Sequence, residues 1–311
     1  MPRVFDGTLV STAILLYRKA LPARTFRLKV LNDDNVASIN SVPASEVKRE
    51  DVVTPEGAIL VYQEEGSRRL IDRLNGISQL LADVAQVRTG VMGFEYWSLD
   101  KWISDANKGP RIATNSYIER YGFLWGKTVR IYKREVSDPR LDTRCNVLSK
   151  NTLELFSTRK VIVRGVAKRL TASLDEEGTG LLVAVHAVVG KQYSDRFLLG
   201  LLNSKLFNWL HIIQFYSARI PEGSLRYPVS FLSQLPVVRL DLDSAPGKKR
   251  HDAMVELVND MLSLNSQQRS CPNDMAVSRK IADKDRQIDE LVYKLYGLTP
   301  DEIAIVERKT C

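Results

Sequence analysis

Few residues in this sequence are of a type and spacing that could do chemistry. Asp34, followed by Glu46 and Lys48 in a Glu-x-Lys arrangement, has the carboxylates that could hold a divalent metal for phosphodiester cleavage. The pattern is so loose that a charged linker is the favoured reading. His186, His211 and His251 fit no metal-ligand or catalytic spacing. Cys145, Cys271 and Cys311 form neither a disulfide framework nor a CxxC pair, which points to a reducing cytoplasm. No GxGxxG or FxGxG turn approaches a nucleotide or S-adenosylmethionine, and there is no P-loop. Neither an Asn-Pro-Pro-Tyr nor an Asp-Pro-Pro-Tyr tetrad is there to grip a flipped base. That leaves the basic side chains, whose chemistry is the pairing of ammonium and guanidinium groups with phosphate.

Their distribution says more than their total. The 311 residues hold 45 Lys and Arg against 37 Asp and Glu, a net charge of +8. Residues 1–73 carry a net of +1, residues 74–240 a net of +9 and residues 241–311 a net of −2. The middle segment holds the whole excess, the electrostatic footprint of a nucleic-acid binder or of a solvated basic surface. An apolar content of 44% is enough for real cores and excludes collagenous or acidic-disordered chains. The longest apolar runs, such as Leu181–Val189, are too short to span a bilayer, and Met1 does not lead into a signal peptide.

Periodicity supplies the elements that must position these cations. Val10–Tyr17 and Thr25–Leu31 read as strands that could form a hairpin, Asn32–Pro55 as a loop or linker, and Ile59–Gln63 as a further strand. Gly66–Leu81 has helical spacing. Short strands are expected at Ala85–Arg88, Val129–Tyr132, Lys160–Arg164 and Leu181–Val189. Phe197–Trp209 predicts one apolar helix capped by Asp195, and Tyr227–Pro236 a loop. Ala253–Asn265 and Asp283–Tyr296, the latter stopped by Gly297, predict an antiparallel helical hairpin.

Several of these stretches resemble the TaqI-like C-terminal specificity domain of adenine-specific DNA methyltransferases of type II restriction–modification systems. FLLGLLNSKLFNW (Phe197–Trp209), with the following segment to Pro236, is similar to the family's helix and proline-ended element. LLADVAQVRTGVMGF (Leu80–Phe94), GKTVRIY (Gly126–Tyr132) and KVIVRGVAK (Lys160–Lys168) are similar to its entry and strands. IDELVYKLYGLTPDEIAIV (Ile288–Val306) resembles the closing helix of many such proteins. RVFDGTLVSTAILLYRK (Arg3–Lys19) resembles the last strands of their methyltransferase domain.

The resemblance assigns the middle segment to DNA recognition, in which phosphate contacts set register and base-edge contacts carry sequence. The candidate DNA-binding residues are Arg88 beside the Thr89–Gly90 turn; Lys127, Arg130 and Arg134; Arg164, Lys168 and Arg169; and Arg219 and Arg226, which flank Gly223. In a regular strand Arg130, Tyr132 and Arg134 would form one DNA-facing row. Trp97, Trp102 and Trp125 read as core, the alternative being an indole that supports the DNA or stacks in the place a flipped base leaves, and Asn203 and Ser204 read as satisfying local backbone.

The expected architecture is α+β: residues 1–73 a methyltransferase-domain remnant plus linker, 74–240 a β-rich target-recognition domain, and 241–311 a helical hairpin. The expected function is sequence-specific binding of double-stranded DNA. The expected partner is a methyltransferase catalytic domain or subunit that brings S-adenosylmethionine, with or without a nuclease. No catalytic, cofactor or metal residue is assigned in this chain, and no membrane is involved. The rival readings are an intact, divergent methyltransferase or nuclease, and a non-catalytic protein-interaction module.

Overall fold

KVIVR at Lys160–Arg164 has three consecutive β-branched residues, which favour a pleated, packed surface. In the computed structural model, which describes residues 24–29, 40–49, 65–215, 220 and 223–308, it is a central strand. It pairs antiparallel with Ala172–Asp175 on one side and Val185–Gly190 on the other. Val185–Gly190 pairs in turn with Ala85–Thr89, completing a four-stranded sheet. The turn after the edge strand requires Gly90, because a Cβ there would lie 2.4 Å from the Leu182 carbonyl oxygen.

Alternation sends Val161 and Val163 to one face of the sheet and Ile162 to the other, and all three are fully buried. The sheet therefore divides two cores. Val161 and Val163 join Leu198, Leu202, Trp209, Met254, Ile288 and Val306. Ile162 joins Ile103, Ile112, Tyr117, Ile118, Val129, Phe156 and Leu181. The first core is walled by helices. The second is enclosed by two- and three-residue strands between Ile103 and Leu181. The fold is α+β, as expected.

Within the helical wall, two helices replace the single one expected over Phe197–Trp209: Asp195–Asn203 and Lys205–Gln214. The first is capped by Ser194, not Asp195; the Ser194 hydroxyl accepts from the Phe197 amide. Asp195 instead accepts from the Gly190 amide at 2.9 Å. At Ser204 the backbone turns extended, and its hydroxyl donates to the Leu201 carbonyl at 2.6 Å and accepts from the Phe207 amide. Asn203 pairs with both the N–H and the C=O of Ala172, so these two polar residues do satisfy backbone.

The C-terminal helices Ala245–Ser270 and Met275–Leu295 are antiparallel, as hydrogen bonding of Ser278 to Gln268 and pairing of Lys284 with Asp260 require. Gly297, at φ +58°, stops the second. A third helix, Pro300–Arg308, then folds back, so the segment exceeds a hairpin. Its Glu302 accepts from Nε and Nη2 of Arg73, at 2.9 and 2.6 Å, while Nη1 donates to the Tyr296 carbonyl. Arg73 lies in the helix Glu65–Ile77, which runs unbroken through position 73 and buries Leu70, Ile71 and Leu74 in the first core. The Tyr296 hydroxyl donates to the Pro236 carbonyl and accepts from the Val238 amide. It thereby ties the helices to Pro236–Val238, which pairs with Ser78–Leu80. The expected loop Tyr227–Pro236 thus contains the short helix Val229–Leu232 and runs into a strand.

Towards the N-terminus, Thr25–Leu28 is a strand, but its partner is Ser45–Lys48, inside the stretch read as a linker. Val10–Tyr17, Asp34 and Ile59–Gln63 lie outside the described residues.

Lys160 is wholly buried, and its ammonium donates to the Phe156 and Thr158 carbonyls and to Asp175 at 2.5 Å. Burial pushes the ammonium below its usual range, and Asp175 opposes that shift. Asp175 also accepts from the amides of Glu177, Gly178 and Thr179 and from the Thr179 hydroxyl. Asp175→Ala strands both a buried cation and the amides of a turn. It should therefore cost about 3–5 kcal/mol in urea denaturation, and more than Lys160→Met, which leaves Asp175 its turn donors.

His186 and His211 are buried, and burial holds both imidazoles at about 4. In the unfolded chain they titrate near about 6.5, so between these values the unfolded state binds protons that the folded state does not. Their contribution to stability is complete above about pH 6.5 and is lost as the pH falls towards 4. Asp289, raised to about 6 by burial, acts in the opposite sense, since the folded chain keeps a proton there that the unfolded chain has released. Together the three groups leave about one net proton, a slope of about 1.4 kcal/mol per pH unit. His211→Gln should remove about that slope between pH 6 and 4.5, read as the pH dependence of the urea midpoint.

Candidate nucleic-acid interface

Val129–Ile131 pairs antiparallel with Arg134–Val136, so the basic stretch is a β-hairpin. Tyr132 and Lys133 form its two-residue turn with φ of +48° and +67°, the signs a type I′ turn requires. The expected row of Arg130, Tyr132 and Arg134 along one strand therefore does not form, because the chain reverses between them. Arg130 lies opposite Glu135, and Arg134 opposite Ile131. Val129, Ile131 and Val136 anchor the hairpin in the second core, and the Tyr117 hydroxyl donates to the Val136 carbonyl. The Tyr132 hydroxyl donates to the Tyr96 carbonyl, and the two rings lie 4.7 Å apart.

On this anchored hairpin Lys127, Arg130 and Lys133 are exposed and make no ion pair among the described residues. Lys127 follows a turn at Gly126, whose φ is +88°. Arg134 is exposed too, but its guanidinium pairs with Asp100 at 2.5 Å.

A second cation group sits on another two-stranded ribbon. Val166–Ala167 pairs with Leu225–Arg226, so Lys168 and Arg226 project from neighbouring strands, both exposed. Asn115 clasps the ribbon, donating to the Val166 carbonyl at 2.6 Å and accepting from its amide. The His211 ring nitrogen Nε2 is 2.8 Å from the Arg226 carbonyl, which it meets as donor, and its ring lies 4.2 Å from that of Tyr227. The Arg226 backbone is thus pinned, while its exposed side chain makes no ion pair among the described residues.

Three of the candidates turn inward. Arg88 donates to the Asn151 carbonyl at 3.2 Å. Arg164 reaches the Ile118 carbonyl at 3.5 Å and Glu119 at 4.0 Å. Arg169 donates to the Asn203 carbonyl at 3.2 Å, at the helix break. Burial, and then the neighbouring Arg120 guanidinium, hold Arg169 below its usual range. Arg219 lies outside the described residues.

The structure also brings in residues that the spacing did not single out. Lys133 takes the hairpin tip without any Gly or Asn to announce the turn. Arg120 pairs with Asp285 across 165 positions and donates to the Asn203 carbonyl, a contact invisible in sequence. Trp125 is core, as expected: it lies between Tyr117 and Phe123, with Arg111 5.3 Å from its ring centre. Trp102 also packs against the second core. Trp97 does not; it is 70% exposed. In the Glu-x-Lys pattern, Glu46 accepts from the Thr25 hydroxyl at 2.7 Å, and no group of three or more His, Cys, Asp or Glu among the described residues could hold a metal. No described helix is long and apolar enough to cross a membrane.

No curated protein sequence matches the chain. Among solved structures, it is similar to the type IIL restriction–modification enzyme MmeI, solved in complex with DNA, with a TM-score of 0.43 and 13% identity over 88% of this chain and 40% of that one. It is also similar to the type IIG restriction endonuclease BpuSI, with a TM-score of 0.40 and 13% identity over 82% of this chain and 36% of that one. For the HsdS subunit from Thermoanaerobacter tengcongensis the TM-score is 0.35, with 9% identity over 75% of this chain and 51% of that one. The chain thus spans less than half the length of the first two enzymes and about half of the third protein. Residues 115–237, which hold both cation groups, match the model of the TaqI-like C-terminal specificity domain.

Proposed function

We propose that this chain binds duplex DNA at a specific sequence, as the reading part of a restriction–modification adenine-N6 methyltransferase. One observation carries the proposal: Lys127, Arg130, Lys133, Lys168 and Arg226, exposed and without an ion pair among the described residues, fall inside the specificity-domain match at 115–237 and stand on or directly beside two anchored two-stranded ribbons. A ribbon fits the width of a major groove, so its backbone sets register while side chains at its tip and edges reach phosphates and base edges. The ion-paired arginines, Arg120 and Arg134, and the inward Arg169 brace the scaffold instead.

Methyl transfer and its S-adenosylmethionine belong, on this proposal, to a catalytic domain or subunit outside the residues described. Neither a glycine-rich cradle nor a base-gripping tetrad occurs in this sequence, so no chemical step is assigned to it. An associated nuclease would act through the same reading of the site.

The test is duplex binding by the purified chain across a salt series, with random and selected sequences. Affinity should fall steeply with salt and retain a sequence preference in the selected pool. Lys127→Ala with Arg130→Ala, and Lys168→Ala with Arg226→Ala, should each flatten the slope of log K against log salt by about 1–2. Arg169→Ala should lower the urea midpoint and leave that slope unchanged. Absence of DNA binding at low salt would overturn the proposal.

A further inference from the structure

A short segment of this chain turns its largest side chains outward. Met92, Phe94 and Trp97 are 58%, 84% and 70% exposed, within and just before the helix Gly93–Ser98. That helix buries none of its residues fully; its Tyr96 packs against the second core, and polar ties add to that hold. Glu95 accepts from the Ser149 amide at 2.9 Å and from the Thr152 hydroxyl at 3.1 Å. The Tyr96 carbonyl accepts from Tyr132. The backbone is pinned from both sides, and the apolar rings are left in water, where soluble proteins seldom gather them.

The patch adjoins the basic hairpin. The Trp97 ring stands edge-on to Tyr96 at 5.0 Å and 6.4 Å from Tyr132, the first residue of the turn. Lys133, the second turn residue, and Arg130 are exposed and without ion pairs among the described residues, and Lys101 lies 5.4 Å from the Trp102 ring centre. Of the acidic groups nearby, Glu95 is engaged with Ser149 and Thr152, and Asp100 with Arg134. Glu135, opposite Arg130, is the exposed exception. Planar rings beside cations that lack carboxylate partners suit a polyanion carrying flat apolar faces.

We propose that Phe94 and Trp97 form a stacking surface for nucleobases that leave the duplex stack, with Arg130 and Lys133 holding the adjoining phosphates. This rests on the DNA-binding function proposed above and adds to it that the bound DNA is locally unstacked at the hairpin tip. An unpaired base offers a π-face of any sequence to such rings, so the contact adds affinity for distorted DNA without adding sequence information.

The experiment uses the full chain with a perfect duplex, the same duplex carrying an unpaired two-base bulge, and a single-stranded oligonucleotide, each across a salt series. Wild type should prefer the bulged duplex to the perfect one. Phe94→Ala with Trp97→Ala should weaken bulged-duplex binding at least tenfold and leave the salt slope unchanged, because rings neutralise no phosphate. Lys133→Ala should flatten the slope by about 1. Tryptophan fluorescence should be quenched on binding in wild type and much less so in Trp97→Phe. Both rings project into solvent, so the variants should keep the parent's urea midpoint, which is measured alongside. If the aromatic variants bind every DNA as wild type does, stacking is overturned while the DNA-binding function stands. It is equally overturned if those variants bind DNA normally but dissociate a self-associated form in sedimentation, which would assign the patch to a second copy of the chain. No binding to any DNA at low salt overturns both proposals.

Discussion

The strand Lys160–Arg164 is buried on both faces, and the rest of the molecule is arranged around that fact. A strand with one wet face needs one core; this one needs two, because Val161 and Val163 point one way and Ile162 the other. The helical wall supplies the first core, and the small ribbons between Ile103 and Leu181 supply the second. The burial also takes Lys160 out of water, and a lysine there persists only with its ammonium fully coordinated. Asp175 on the neighbouring strand, with two carbonyls at the end of the helix Lys150–Ser157, provides that coordination. One interaction thus joins two strands, a helix end and the tight turn at 177–179.

A division of labour among the arginines follows from the two-core plan. The helical wall and the ribbons must be joined at their rim, where surfaces are half-wet, and arginine's fork suits such sites because it serves carboxylates and carbonyls together. Arg73 joins the helix Glu65–Ile77 to the last helix, and Arg120 joins a ribbon loop to the helix Met275–Leu295. Arg169 converges with Arg120 on the Asn203 carbonyl, freed by the helix break at Ser204. Lys127, Arg130, Lys133, Lys168 and Arg226 have no such duty among the described residues and stand on or beside ribbons whose backbones are clasped from below: Tyr117 beneath the hairpin, Asn115 and His211 beneath the second ribbon. On the proposed function, a backbone fixed from below holds exposed cationic side chains in register with phosphates.

Much of the frame was legible in the residues. Lys160–Arg164 was found with its bounds because β-branched runs admit few alternatives. The two C-terminal helices and the stop at Gly297 followed from apolar stripes and a residue that tolerates positive φ, but the helices run longer, Ala245–Ser270 and Met275–Leu295, than the stripes at Ala253–Asn265 and Asp283–Tyr296 marked. The burial of Trp125 and the backbone role of Asn203 were also foreseen. Apart from the cap, which is Ser194 and not its neighbour Asp195, the main errors share a cause: each depended on a partner remote in sequence. The break at Ser204 hides in a run that is apolar on both sides, and what reveals it is the carbonyl that Arg120 and Arg169 receive. The reversal at Tyr132–Lys133 has no glycine, since packing of Tyr132 on Tyr96 supports a backbone that local propensity disfavours. Ser45–Lys48 is polar enough to read as linker and becomes a strand by pairing with Thr25–Leu28.

By itself, then, the sequence determined the α+β class, the central strand, the C-terminal helices and the concentration of positive charge in residues 74–240. These are properties of composition and short-range period, and a chain carries them wherever it goes. Tertiary structure alone decided which cations are free. A guanidinium is either a brace or a contact according to whether a carboxylate or carbonyl comes within about 3 Å, and those groups arrive from positions as distant as Asp285 is from Arg120. It also decided that Trp97 faces water while Trp125 is half-buried against the second core, because exposure is set by what packs on a ring and not by the ring.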